Sequence, residues 1–229
     1  MKVVAVIPVK LNSERVPGKN IREFYDGTPL CKLIFDTISS SEVIDESYCF
    51  CSDDRIVEFL PENIGFLKRS ESLDKSTTTM NEILASFISK VDSDIYVLAN
   101  VATPFVKPST ISVCVNAVRS SEYDSALSVE ALHDFLWVDG KPFNYNPEDI
   151  ARTQDLPIIY KETTGIYVFT KDLFLKHNRR VGYGPYLHEV GLVEGTDIDY
   201  LEDFEVADAI YKDIVKGLGC GRHKHDYKE

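Results

Sequence analysis

The sequence predicts one α/β domain: a mainly parallel sheet with helices packed on both of its faces. Three observations carry that expectation. Short apolar runs alternate with stretches of helical spacing along most of the chain. The runs are continuous in Val, Ile, Leu, Ala and Cys, as strands buried on both faces are, rather than alternating apolar with polar. A chain of 229 residues, 44% of them hydrophobic, also suffices to bury one sizeable core.

Taken in order, Val3–Pro8 reads as the first strand, followed by Tyr48–Ser52, Ile95–Asn100 and Ala126–Val129, each bounded by polar or turn residues. Leu30, Leu33, Ile34, Thr37 and Ile38 share one helical face. Asp53–Leu60 begins on a capping pair, Asp53-Asp54, and stops at Pro61. Asn81–Val91 is amphipathic through Ile83, Leu84, Phe87, Ile88 and Val91, with Ser76-Thr77-Thr78-Thr79 as its N-terminal cap, and Ser109–Ser120 starts just after Pro108. The pattern breaks near Asp134. From Phe135 to Tyr145 the chain is aromatic and punctuated by Gly and Pro, with Asp139-Gly140 as a hairpin signal inside an expected insertion of about residues 134–164. A strand at Gly165–Phe169, a helix from Lys171, a last strand at about Val190–Val193 and a closing helix, Leu201–Val215, complete the domain. Residues 217–229 read as a flexible polar tail.

The net charge of −12 repels nucleic acid and anionic membrane surfaces, so neither is expected as a partner. No run approaches the roughly 18 apolar residues of a membrane span, and the first apolar stretch is too short for a secretory core. The five cysteines are odd in number and irregular in spacing, which fits a reducing cytoplasm. Cys49 and Cys51, at i and i+2 of one strand, are expected on the same face as small apolar residues. Against so acidic a background, a cluster of cations requires a local explanation.

Such a cluster follows the first strand. Pro8-Val9-Lys10-Leu11-Asn12-Ser13-Glu14-Arg15-Val16-Pro17-Gly18-Lys19-Asn20 leaves the carboxyl end of a strand, where ligands of open parallel sheets bind. Lys10, Arg15 and Lys19 supply charge, and backbone amides of a tight loop supply donors, which together suit a polyphosphate. The loop is neither a Walker loop nor a dinucleotide fingerprint. On composition alone a solvated turn is slightly favoured, since Ser, Asn, Gly and Pro are turn formers, and three cations in so acidic a chain tip the balance to a ligand.

The loop resembles that of the acylneuraminate cytidylyltransferases, the CMP-sialic acid synthetases, which read Pro-Ala-Arg-x-Gly-Ser-Lys-Arg-x-Pro-x-Lys-Asn with no gap against this chain. The related 3-deoxy-manno-octulosonate cytidylyltransferases carry a similar loop. The resemblance covers nearly the whole chain and implies a Rossmann-like fold with a small inserted dimerisation hairpin. It departs from the family at Lys10, which keeps charge but not bidentate bonding, at Asn12 in place of Gly, and at Glu14, a charge reversal that either faces solvent or pairs with Arg15 or Lys19.

What the resemblance implies for the site follows by position. Lys10, Asn12, Ser13, Arg15, Lys19 and Asn20 would bind the nucleotide, with Arg15 and Lys19 acting in catalysis. Arg69, in Arg69-Ser70-Glu71-Ser72-Leu73, and Thr79 would join them, and Asn100 stands where the family has a Gln that touches the nucleotide. Arg152, Gln154, Tyr160, Thr164 and Tyr167 would face the sugar, with the planar fork of Arg152 on its carboxylate. Read alone, Tyr160 and Tyr167 are equally packing residues.

Near the end, Asp197-Ile198-Asp199 and Asp203-Phe204 reproduce the family's Asp-Ile-Asp-x-x-x-Asp-Phe. Two carboxylates at i and i+2 of an extended chain point the same way, the arrangement expected for Mg²⁺ shared with phosphate. Asp199 is also the candidate base, and Asp203 belongs to the first turn of the closing helix. Cys220-x-x-His223-x-His225 offers soft-metal ligands but lacks a fourth, so a tail is the simpler reading. The expected activity is transfer of CMP from CTP to an acidic 2-keto sugar by a cytoplasmic homodimer. The alternatives are a degenerate homologue serving as a nucleotide-binding or scaffold subunit, or a nucleotidyltransferase for another sugar or nucleotide. A glycosyltransferase with a metal-binding Asp-x-Asp fits less well, since that motif normally lies mid-chain.

Overall fold

A computed structural model describes residues 1–13 and 15–217. The strands are β1 (Val3–Val9), β2 (Glu46–Cys51), β3 (Gly65–Lys68), β4 (Ile95–Ala99), β5 (Ser125–Leu132), β6 (Trp137–Val138), β7 (Lys141–Pro142), β8 (Ile159–Thr170) and β9 (Tyr186–Glu189). The helices are α1 (Leu30–Ser39), α2 (Met80–Ile88), α3 (Pro108–Arg119), α4 (Lys171–His177) and α5 (Leu201–Ile210). Seven strands form one sheet in the order β3-β2-β1-β4-β8-β5-β9, and in it β8 alone runs antiparallel to its neighbours. The middle of β8, Gly165 and Ile166, therefore lies beside Asn100 and Ala99 where β4 ends, and its first residues run on along β5.

Strand alternation divides the core into two layers. Val3, Ala5, Ile7 and Val9 face one cluster, which takes Ile34 and Ile38 of α1, Ile111 and Val115 of α3, and Phe204 and Ala207 of α5. Val4 and Val6 face the other, with Leu84 and Phe87 of α2 and Leu173 and Phe174 of α4. Helices thus cover both faces, as expected. Cys49 and Cys51 share the first cluster with Cys31, and all three are free and buried. Among the described residues no helix is long and apolar enough to cross a membrane.

Several elements differ from the sequence expectation, each for a physical reason. The final strand lies at Tyr186–Glu189, and the apolar run after it turns instead, with the Gly195 amide donating to Gly191 O at 2.9 Å and Leu192 74% exposed. Four half-exposed residues of an edge strand carry no apolar signature, and the same holds for β3, which the sequence did not announce. Asp54–Phe59 is a 3₁₀ turn rather than an α-helix, capped as expected by Asp53, which accepts from the Arg55 amide at 3.0 Å. The closing helix widens into π turns over Tyr211–Val215.

β8 starts at Ile159, so the last residues of the expected insertion pair in the main sheet. The hairpin is present: β6 and β7 are joined through Asp139 and Gly140, both at positive φ (50° and 74°), as a two-residue primed turn requires. Glu14 and the Cys220, His223 and His225 set, with the rest of the tail beyond residue 217, lie outside the described residues.

Candidate active site

The site is built from two segments far apart in sequence. The loop leaving β1 is pinned from below by Arg69, which is 3% exposed and donates to Val9 O at 3.0 Å and to the Asp74 carboxylate. Asn20 is buried and donates from Nδ2 to Lys10 O at 2.8 Å, so the two ends of the loop are tied together. Gly18 supplies the left-handed turn (φ 67°) that returns the chain, and Asn12 does not adopt that geometry. The loop walls a cleft of about 400 Å³ that reaches Asn100 and the start of α2. An adjoining recess of about 270 Å³ is lined by Lys10, Ser13, Arg15, Lys19, Ser76 and Asp199.

The second segment joins β9 to α5. Ile198 is fully buried, and its amide donates to Ala102 O at 2.9 Å, which fixes the backbone between the two acids. Asp203 accepts from the amides of Asp199 (2.9 Å) and Tyr200 (2.7 Å), closing the N-terminus of α5. The Lys19 ammonium donates to Ile198 O, and an Arg15 terminal nitrogen lies 2.9 Å from Asp199 Oδ1, with the guanidinium 5.5 Å over the Tyr200 ring. The early cations and the late acids thus meet. The Arg15–Asp199 pair is about half exposed, so it contributes about 1 kcal/mol at most and is easily surrendered to a phosphate.

Burial pushes the Lys19 ammonium below its ordinary pKa, an effect opposed by Asp199 and Asp197. Burial, then the charge of Asp199, raises the Asp197 carboxyl. One Asp197 oxygen accepts from Thr164 Oγ1 at 3.1 Å, while the other, Oδ1, is buried with no hydrogen-bond partner. An orphaned carboxylate oxygen is costly unless something cationic satisfies it, so the donor set fits a divalent cation. Among the described residues no group of three or more His, Cys, Asp and Glu side chains gathers as a metal site. Two carboxylates are nonetheless sufficient for Mg²⁺, which takes its remaining ligands from phosphates and water.

Other candidates fall elsewhere. Asn12 is exposed and borders a separate depression with Asp53, Asp54 and Asp74. Thr79 is the N-cap of α2, its hydroxyl shared with Glu82, so Ser76 and Thr78 are the hydroxyls that line the cleft. Asn100 lines the cleft while donating to Thr164 O at 2.6 Å. Arg152 is exposed, with its fork spent on Asp155 at 2.7 and 3.0 Å, and Gln154 is exposed in the same turn. The structure does not bring these two to the cleft. Tyr160 is exposed and donates to Glu189 at 2.6 Å, between β8 and β9. Tyr167 is buried in the core and donates to Glu162 at 2.6 Å, its phenol pushed up to about 12 by burial and then by Glu162. Another cavity, of about 670 Å³, lies at the opposite end of the sheet, where Asp94, Glu122, Asp124 and Asp172 would repel a polyphosphate.

With this geometry established, the family model described as "Cytidylyltransferase" matches residues 4–215. The chain belongs to the cytidylyltransferase family. It is 24% identical over 215 residues to an N-acylneuraminate cytidylyltransferase of Streptococcus agalactiae serotype V, an alignment covering 89% of this chain and 52% of that protein. The chain therefore spans about half the length of such relatives. It is 23% identical over 249 residues to the 3-deoxy-manno-octulosonate cytidylyltransferase 2 of Hydrogenovibrio crunogenus, covering 92% of this chain and 98% of that one. A solved CMP:2-keto-3-deoxy-manno-octonic acid synthetase complexed with CTP superposes with a TM-score of 0.70 at 17% identity, over 92% of this chain and 98% of that chain. The Rossmann-like cytidylyltransferase fold is thereby shown.

The resemblance offered the whole run Ser76–Thr79 as nucleotide-holding hydroxyls and named Thr79, whereas Ser76 and Thr78 line the cleft; Tyr200 as the ring beneath Arg15 was missed. Tyr200 carried no signal beyond its place next to Asp199.

Proposed function

We propose that the protein transfers the cytidylyl group of CTP to a hydroxyl of an acidic 2-keto sugar and releases pyrophosphate. The observation that carries this reading is the recess in which Lys10, Arg15 and Lys19 converge and which Asp199 closes from the far end of the chain. The acceptor hydroxyl oxygen attacks the α-phosphorus, the bond to the pyrophosphate oxygen breaks, and the hydroxyl proton leaves to a base, for which Asp199 is the candidate. Lys10, Arg15 and Lys19 neutralise the triphosphate, with the hydroxyls of Ser13 and Ser76 as added donors. Asn20 and Arg69 act indirectly, by holding the loop and its floor. Such chemistry depends on positioning and charge neutralisation rather than on a covalent nucleophile. A Mg²⁺ held by Asp197 and Asp199 would supply further charge neutralisation at the phosphates when bound.

A homodimer is part of the same proposal. Phe135, Trp137, Val138, Phe143, Ile150 and Ile158 are exposed together in and around the β6–β7 hairpin, an apolar concentration suited to a second copy of the chain.

The decisive experiment measures pyrophosphate release from CTP, UTP, GTP and ATP against a panel of 2-keto sugar acids. CTP-dependent release with at least one acid supports the proposal. Preference for another nucleotide, or no turnover with any acid, rejects it.

A further inference from the structure

We infer that Arg180 is a specificity residue that binds the acidic group of the acceptor, an inference that rests on the cytidylyl-transfer reading above. Arg180 follows α4 and Asn178, whose left-handed backbone (φ 50°) ends that helix. Its guanidinium lies 4.4 Å over the Tyr167 ring, and a terminal nitrogen donates to Asn81 Oδ1 at 3.4 Å. Its Nε is buried without a partner, and among the described residues no carboxylate lies within ion-pair distance of it. The neighbouring Arg179 shares the orphaned Nε, but Arg180 is the one whose guanidinium lies against Asn81 and Tyr167, and in a chain of net charge −12 a partly buried guanidinium without an anion calls for one.

The surroundings of Arg180 join it to the cleft. Asn81 directly follows Met80, which lines the cleft with Thr78. Tyr167 pairs with Leu98, two residues before Asn100, another lining residue. The Tyr167 hydroxyl donates to Glu162, two residues before Thr164, whose own hydroxyl reaches Asp197. Asn81, Glu162, Tyr167 and Arg180 therefore form a polar cluster on the α2–α4 side of the sheet, held by segments that border the cleft. A planar guanidinium can bind both oxygens of a carboxylate, and its stacking on Tyr167 presets its plane. Glu162 faces the same cluster and would repel an acceptor carboxylate that Arg180 did not pair. Arg152, the candidate from sequence, is exposed in the insertion and is not among the residues that line the cleft.

The test compares wild type with R180M, R180K and R179M. Arg179 is the control, since its guanidinium stacks at 3.9 Å on Tyr183, which is 89% exposed. Initial rates are measured with 3-deoxy-manno-octulosonate or N-acetylneuraminate, whichever turns over, and with the methyl ester of the same sugar. R180M is expected to raise KM for the free acid at least tenfold and to leave KM for CTP within twofold. It should also reduce the acid-over-ester preference at least tenfold. R180K should recover part of that preference, and R179M should match wild type. The inference is overturned if R180M keeps the wild-type acid-over-ester ratio, or if it loses CTP binding by calorimetry together with acceptor binding. If wild type releases no pyrophosphate with any acid, the transfer reading fails separately. Calorimetric titration of the two acids into wild type and R180M then decides on Arg180: loss of binding in R180M supports it, and equal or absent binding in both overturns it.

Discussion

Thr164 holds a left-handed backbone (φ 61°), a conformation that costs a β-branched residue about 1–2 kcal/mol. Its carbonyl accepts from Asn100 and its hydroxyl donates to Asp197, so the strained residue links the strand end to the acid pair. Asn adopts this geometry at lower cost than a β-branched residue. Thr164→Asn is therefore expected to raise stability by about 1 kcal/mol, read as an increase in the denaturation midpoint. An unchanged or lowered midpoint would show that the bond to Asp197 outweighs the strain. The neighbouring Gly165 is equally constrained, because a Cβ there would meet Val106 Cγ2 at 2.9 Å and Thr103 Cγ2 at 3.0 Å. At Asp199, Asn replacement removes the charge that pairs with Arg15. Asp199→Asn should abolish CMP transfer while leaving the circular dichroism spectrum and melting temperature near wild type. An active, folded variant would end the assignment. The sequence revealed residues such as Arg15, Lys19, Asp197 and Asp199 because their motifs are local. It could not mark the contact of Arg180 with Asn81, which spans 99 positions, and it offered Arg152, whose fork lies on Asp155 within one copy.

Among the elements, the segment from β9 to α5 depends most on a single side chain. Glu194 is 5% exposed and accepts from the Lys107 amide at 3.1 Å and from the Thr110 hydroxyl, with the Lys107 ammonium 3.2 Å away. It thereby satisfies donors at the N-terminus of α3 and anchors the backbone three residues before Asp197. Glu194→Ala is expected to destabilise by about 1–3 kcal/mol, the cost of leaving buried donors unmet, and to lower kcat more than it raises KM for CTP. Glu194→Gln, which still accepts, should recover most of the stability. A Glu194→Ala protein as stable as wild type would show that the anchor is dispensable. The sequence marked this segment as a strand because Val190, Leu192 and Val193 are apolar, yet only tertiary contacts reveal that the chain turns there. β1, β4 and the four longer helices α1, α2, α3 and α5 were legible because their apolar spacing reports burial directly.

For the whole molecule, the exposed aromatics of the hairpin predict a concentration-dependent monomer–dimer equilibrium in sedimentation. Trp137→Glu with Phe143→Glu should shift it to monomer without changing the fold. A monomeric wild type at tens of micromolar, an order-of-magnitude loading at which a stable dimer would persist, rejects the dimer. The overall α/β arrangement was readable because alternating strand and helix leaves few topologies. The reversed direction of β8 was not, since a buried strand has the same composition in either sense.

That reversal has a lasting consequence. One ribbon of backbone runs from the hairpin through Thr164 into the centre of the sheet, while the cationic loop hangs from β1. Under the proposed function, changes to the length or shape of the hairpin would act on the association of copies and leave the cationic loop on β1 as it is.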